Sequence, residues 1–218
     1  MTHQNDKPDT TTVVNPVNLA VFASGGGSNA EAIIHYALRS ASAFRVALLV
    51  SNNSRCGAMQ RALMFDIPTI HLSSTTHPGW YEYTSALANA LQEHQIEMIA
   101  LAGFMKKLPQ EIVQMFSPKG HSRVFNIHPS LLPKFGGHEM YGMNVHKAVL
   151  AAGESQSGCT VHEVDGDYDT GTIIAQKSVV VLPTDTPESL GERVLTWEHE
   201  LYPETLHQKA LEIRSGLL

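Results

Sequence analysis

The sequence predicts a Rossmann-like three-layer α/β sandwich, and three observations carry that prediction. Short apolar runs alternate with helical patterns from Val17 to Ile127, as a parallel sheet covered on both faces requires. A glycine-rich turn, Ser24-Gly25-Gly26-Gly27, joins the first run to the first helix. The last two runs are separated by a loop too short for a crossover, which predicts an antiparallel C-terminal strand pair on a mostly parallel sheet. No repeat, low-complexity tract or linker interrupts the chain, so residues 18–218 read as one domain after a polar, disordered leader at residues 1–17.

The elements follow in order. Val17 to Ala23 is strand one. Ser28 to about Arg39 is helical, with Ile33, Ile34, Ala37 and Leu38 on one face. Ser28 and Glu31 have the spacing of a capping box. Arg45 to Val50 is a strand, Arg55 to Phe65 a helix, Pro68 to Leu72 a strand and Trp80 to His94 a helix. Glu97 to Leu101 is strand four. Pro109 opens a short helix to Met115, and Arg123 to Ile127 is strand five. Asn144 to Ala152 is a helix, and Cys159 to Val164 and Thr172 to Val181 are the closing strands. Thr186 caps a final helix with Pro187 at its first position. That helix runs to about Ile213, with a break expected at Pro203.

Composition narrows the function classes. The chain has 218 residues, 43% hydrophobic and 17% charged, with a formal net charge of -6. There is no global basic field to attract nucleic acid. Two cysteines, Cys56 and Cys159, are too few for a disulfide framework. No apolar run reaches the roughly 18 residues of a membrane helix, and the leader lacks the apolar core of a signal peptide. A cytoplasmic protein with small-molecule substrates, no nucleic acid and no membrane is expected, as monomer or homodimer. Twelve histidines raise the question of a metal, but none has the spacing of a ligand set, so no metal is expected.

Three places could carry chemistry. Asn126 and His128 sit two apart at the end of strand five, so their side chains leave one face, and Pro129 stops the ladder. An amide beside an imidazole at a strand end suits a developing oxyanion. The alternative is a pair of structural polar groups. The turn from Ser24 to Asn29 offers free N–H groups at a helix start, which suits a phosphate. It matches neither the dinucleotide fingerprint nor a P-loop, and it also reads as a flexible turn. The segment from Asp165 to Gly171 alternates carboxylates as a calcium loop does. Thr170 and Gln176 stand where such a loop needs Gly and Glu, so the calcium reading fails. It reads either as a solvated turn or as the source of a carboxylate that raises the pKa of His128. Spacing does not choose which Asp.

Several segments, in order, resemble the folate-dependent formyltransferases. They are Ser24 to Asn29, Leu101 to Leu108, Asn126 to Pro133, Gly158 to His162 with Asp169 to Gly171 and Ile173 to Gln176, and the helix carrying Glu198. The resemblance covers roughly Asn18 to Glu212. Within the family, the triple-Gly-Ser-Asn loop and the Glu198 helix point to the branch that formylates a ribonucleotide amine. The resemblance implies formyl transfer from 10-formyltetrahydrofolate, the co-substrate, to the amine of N1-(5-phosphoribosyl)glycinamide in purine biosynthesis. It implies Asn126, His128 and Asp169 as the catalytic trio. Gly27, Ser28, Asn29, Pro129 and Glu198 would bind the ribonucleotide. Met105, Lys106, Lys107, Leu108, Asn126, Asp165 and Asp169 would bind folate. Lys106 and Trp80 stand where other members carry Arg, and Phe135 to Gly142 replaces a shorter turn. The rivals are a formyltetrahydrofolate deformylase, which carries an extra N-terminal domain, and a non-catalytic nucleotide-binding module.

Overall fold

The computed structural model describes residues 15–218. Its elements are β1 (Val17–Phe22), α1 (Ser28–Ala37), β2 (Phe44–Ser51), α2 (Gly57–Met64), β3 (Thr69–His71), α3 (Trp80–Glu93) and β4 (Met98–Leu101). They continue with α4 (Gln110–Met115), β5 (Val124–His128), α5 (Met143–Ala151), β6 (Gln156–Glu163), β7 (Ile173–Val180) and α6 (Pro187–Ser215).

The strands form one sheet in the order β3-β2-β1-β4-β5-β6-β7. Every pair from β3 to β5 is parallel, and β6 is antiparallel to both β5 and β7. The expected C-terminal pair is therefore present, and the reversal of direction begins at β5. Along β1, alternate residues serve opposite faces. Leu19 and Val21 join a core with Ile33, Val145, Leu190 and Val194, while Ala20 and Phe22 join one with Leu87, Leu91 and Ile112. Both faces are apolar because helices cover both, which is why the strand reads as an unbroken apolar run. The chain winds outward from β1 to β3, returns, and winds the other way from β4. That places the switch point between β1 and β4, where open α/β sheets bind ligands.

Three expectations are corrected. Residues 1–14 of the expected leader lie outside the described residues, but Asn15 to Val17 do not behave as a leader. Arg214 donates to the carbonyls of Asn15 (2.7 Å) and Pro16 (2.9 Å), and Val17 is fully buried in β1. The helix does not break at Pro203, and α6 runs unbroken through it. Losing one backbone hydrogen bond and accommodating the ring costs about 3 kcal/mol. Burial of Tyr202, Leu206 and Ala210 along the same face offsets that cost. Finally, Ser28 is the first residue of α1 and not its cap. Gly27 caps the helix in a left-handed conformation (φ 83°) with no side-chain bond. Glu31, free of any capping role, pairs instead with Arg61 of α2.

Candidate active site

Strand ends build the site. At the end of β5, Asn126 pairs across to His162 of β6, and His128 pairs to Thr160. Tyr202 reaches up from α6, where its hydroxyl lies 2.8 Å from the Phe125 carbonyl and 3.1 Å from that of Leu101. One buried side chain thus ties the long helix to the ends of β4 and β5, beneath Asn126. The Ser24 hydroxyl accepts from the Met105 N–H (2.8 Å) and donates to Asn52 Oδ1 (2.6 Å). That joins the loops after β1, β2 and β4 at the switch point.

Asp169 is the centre of the cluster. It takes a left-handed conformation (φ 57°) that turns its carboxylate inward. Its Oδ2 lies 3.4 Å from His128 Nδ1, and its Oδ1 lies 3.4 Å from His162 Nε2. Oδ2 also accepts from the Gly137 N–H at 2.9 Å. Burial pushes the Asp169 carboxyl up, but the two imidazoles and the Gly137 N–H outweigh it and hold the group below its ordinary value. The three loop carboxylates have separate partners. Asp165 closes its own turn by accepting from Thr170 (2.9 Å) and the Asp167 N–H (3.2 Å), and Asp167 pairs with Lys107 at 3.1 Å.

His128 is 3% exposed and faces acceptors on both sides. Its Nε2–H donates to the Phe135 carbonyl at 2.8 Å, and Nδ1 points at Asp169. The expected rise in its pKa does not occur. Burial, the largest influence, drives it down, and Asp169 and the Phe135 carbonyl only partly restore it. Asn126 donates through Nδ2 toward His162 Nε2 at 3.1 Å. A cleft opens over this cluster, lined among others by Phe104, Lys106, Lys107, Leu108, Asn126, His162, Tyr168 and Asp169.

The structure therefore brings Asn126, His128 and Asp169 together, and sets Lys106, Lys107 and Leu108 on the cleft wall. Met105 and Asp165 lie outside that lining. His128 is not among the residues that line this cleft; it reaches the cleft's Asp169 through Nδ1. His162 faces the cleft, although sequence reasoning gave it no role. Its signal was its place in the Gly158 to His162 strand, four residues from Gly158, but the register that sets it opposite Asn126 belongs to the fold.

At the second part of the site, α1 starts after the glycine-rich turn at residues 23–27 that follows β1. Gly27 is needed there twice over, by its positive φ and because a Cβ would come 2.5 Å from Ala58 Cα. The first N–H groups of a helix have no partners within it, so Ser28 and Asn29 present donors and the positive end of the dipole. The Asn29 side chain turns inward and donates to Glu198 Oε2 at 2.6 Å. Glu198 is 6% exposed, and burial raises its pKa against the bond from Asn29. Pro129, half-buried, ends β5 between the two parts. Among the described residues no cluster of His, Cys, Asp and Glu has the arrangement of a metal site, and no helix is long and apolar enough to cross a membrane.

The chain matches the formyl transferase family model over residues 17–206. It is 44% identical over 188 residues to a chloroplastic phosphoribosylglycinamide formyltransferase of Vigna unguiculata, covering 86% of this chain and 59% of that one. It thus spans less than two thirds of that plant relative. It is 36% identical to the phosphoribosylglycinamide formyltransferase of Bacillus subtilis, over 87% of this chain and 92% of that one. Among solved structures, the Coxiella burnetii phosphoribosylglycinamide formyltransferase superposes with a TM-score of 0.81 at 38% identity, covering 90% of this chain and 88% of the other. The glycinamide ribonucleotide transformylase 1 of Geobacillus kaustophilus gives 0.81 at 37%, covering 90% and 100%. With the family model spanning nearly the whole of the described fold, from the first residue of β1 into the last helix, the chain belongs to the formyl transferase family.

Proposed function

We propose that this chain transfers a formyl group from 10-formyltetrahydrofolate to the primary amine of N1-(5-phosphoribosyl)glycinamide. The observation that carries the reading is the joining of two half-sites at the C-terminal ends of the parallel strands. A carboxylate-imidazole-amide cluster stands at the end of β5, and a helix start suited to a phosphate stands at the end of β1, beside the buried Glu198. The relatives named above supply the chemistry that such a pair of half-sites serves.

The amine is already nucleophilic when neutral, since an α-amino group has a pKa of about 8. The protein's work is alignment and stabilisation of the oxyanion that forms on the formyl oxygen as the amine adds to the formyl carbon. The Ser28 and Asn29 N–H groups hold the phosphate, and Glu198 accepts from the ribose hydroxyls. The folate lies against Lys106 to Leu108 and the Asp169 loop. Asn126 donates to the formyl oxygen from the cleft wall. His128 adds a second donor when its Nε2–H exchanges the Phe135 carbonyl for that oxygen, and Asp169 favours the charged ring. A water beside Asp169 carries the amine proton to the departing folate nitrogen.

One assay separates the readings. Incubation with 10-formyltetrahydrofolate, with and without the amine, measures folate release. Release that depends on the amine supports the transferase. Release without the amine means a deformylase, and no release means a nucleotide-binding module.

A further inference from the structure

We propose that His162 is a positioning residue whose Nε2 lone pair sets the direction of the Asn126 amide, so that its NH2 end faces the reacting formyl group. The proposal rests on the transferase reading above for its consequence, but not for its geometry.

The geometry begins with the other ring nitrogen. His162 Nδ1 lies 2.8 Å from the Glu163 carbonyl oxygen. A carbonyl can only accept, so Nδ1 carries the hydrogen. In the neutral ring, Nε2 is then left with a lone pair and no hydrogen. Asn126 Nδ2 lies 3.1 Å from it, inside the range of an N–H donor to an acceptor. The Asp169 oxygen is farther, at 3.4 Å, so the amide is the nearer partner of Nε2; a hydrogen on Nε2 would serve Asp169 instead, and the nitrogen-15 spectrum distinguishes the two. The lone pair therefore binds the NH2 end of the amide and repels its oxygen end. An amide carries two hydrogens on nitrogen. One is spent on His162, and the second remains for the cleft that both residues line.

The ring itself cannot wander. His162 is 2% exposed, lies near the end of β6 where it pairs with both Asn126 of β5 and Ile173 of β7, and is bonded at Nδ1. Asn126 is half-buried and has no bond from its side chain to any other described group, so this contact alone sets which way its amide points. Were the acceptor lost, the amide could turn by half a revolution. It would then show an oxygen to the developing oxyanion, and an acceptor facing an oxyanion opposes the reaction it now assists.

The test separates an acceptor from a mere space-filler. Glutamine offers a side-chain carbonyl that can accept from Asn126, whereas leucine fills the volume with no acceptor. His162→Leu is expected to lose about 10²–10³ in kcat, the usual cost of one oxyanion donor, with KM for both substrates within a few-fold. His162→Gln is expected to recover most of that loss. A His162→Leu variant that turns over normally overturns the proposal, and so does a His162→Gln variant as impaired as His162→Leu. The unmodified chain supplies a reading that depends on neither variant folding. Nitrogen-15 NMR of the free protein near neutral pH should show His162 protonated at Nδ1 and bare at Nε2, with a scalar coupling from Nε2 to the Asn126 Nδ2 nitrogen. A ring protonated at Nε2 overturns it. These signals need no substrate, so failure of the formyl-transfer reading would appear in the assay of the unmodified chain and leave them untouched.

Discussion

Asp169 Oδ2 lies 3.4 Å from His128 Nδ1, with the two side chains only 10% and 4% exposed. At such burial a charge is little screened, and each partner shifts the other's proton affinity. Burial drives the His128 pKa below its ordinary value, and Asp169 is the strongest influence opposing it. Asp169→Asn removes that opposition, so the His128 pKa should fall further. An NMR titration of the His128 ring in both proteins checks it, and an unmoved midpoint would show that the carboxylate does not hold the ring. Turnover should fall with it, because less of the ring is charged at neutral pH.

Asn126→Ala is expected to lower kcat by about 10²–10³, the usual effect of removing one oxyanion donor. KM for either substrate should change little, since the bond to the formyl oxygen strengthens mainly in the transition state. Steady-state kinetics with each substrate varied in turn reads both quantities. A rise in KM at constant kcat would place Asn126 in ground-state binding instead.

Most of this architecture could be read from the chain. The apolar runs marked the strands because helices on both faces leave no polar alternation, and the short connection between β6 and β7 gave their direction. The sequence misled where tertiary contacts overrode a local rule. Pro203 lies inside a helix held down by buried neighbours, and Glu31 finds Arg61 before it finds its own helix cap. At the site, Asn126 and His128 were visible from their spacing. His162 was not, because its nearness to Asn126 is set by the β5–β6 register and by no spacing along the chain. The downward shift of His128 was equally hidden, since burial is a property of the fold.

Glu198→Gln should weaken ribonucleotide binding while leaving folate binding unchanged. The buried carboxyl accepts from Asn29, and an amide oxygen can still do so, which keeps the fold intact. What is lost is the charge behind the bonds from the ribose hydroxyls. A hydrogen bond to a charged group contributes about 1.5–3 kcal/mol against about 0.5–1.5 kcal/mol for a neutral one, so the KM for the ribonucleotide should rise by about 10-fold. Equal effects on both substrates would point to a general disturbance of α6.

The pH dependence of stability follows from four histidines. Burial is the leading cause that lowers the pKa of His128, His146, His199 and His207 in the folded protein. In the unfolded chain each titrates near pH 6.5. Below that value the unfolded state binds more protons than the folded one, so stability falls as pH falls. Their contribution is fully present above about pH 6.5, and is lost as the pH drops from there toward the depressed folded values. Asp169 adds a loss at lower pH, because its folded pKa lies below the unfolded value and its stabilisation disappears as the carboxylate protonates. Urea unfolding midpoints should therefore decline between pH 7 and pH 5, before ordinary carboxylates begin to titrate. His146 offers the sharpest single test. It is 5% exposed, and its Nδ1 is buried without a hydrogen-bond partner among the described residues, so a charged ring there would be poorly solvated. His146→Leu should flatten the slope over that interval. A slope unchanged in the variant would mean that His146 takes up its proton equally in the folded and the unfolded chain.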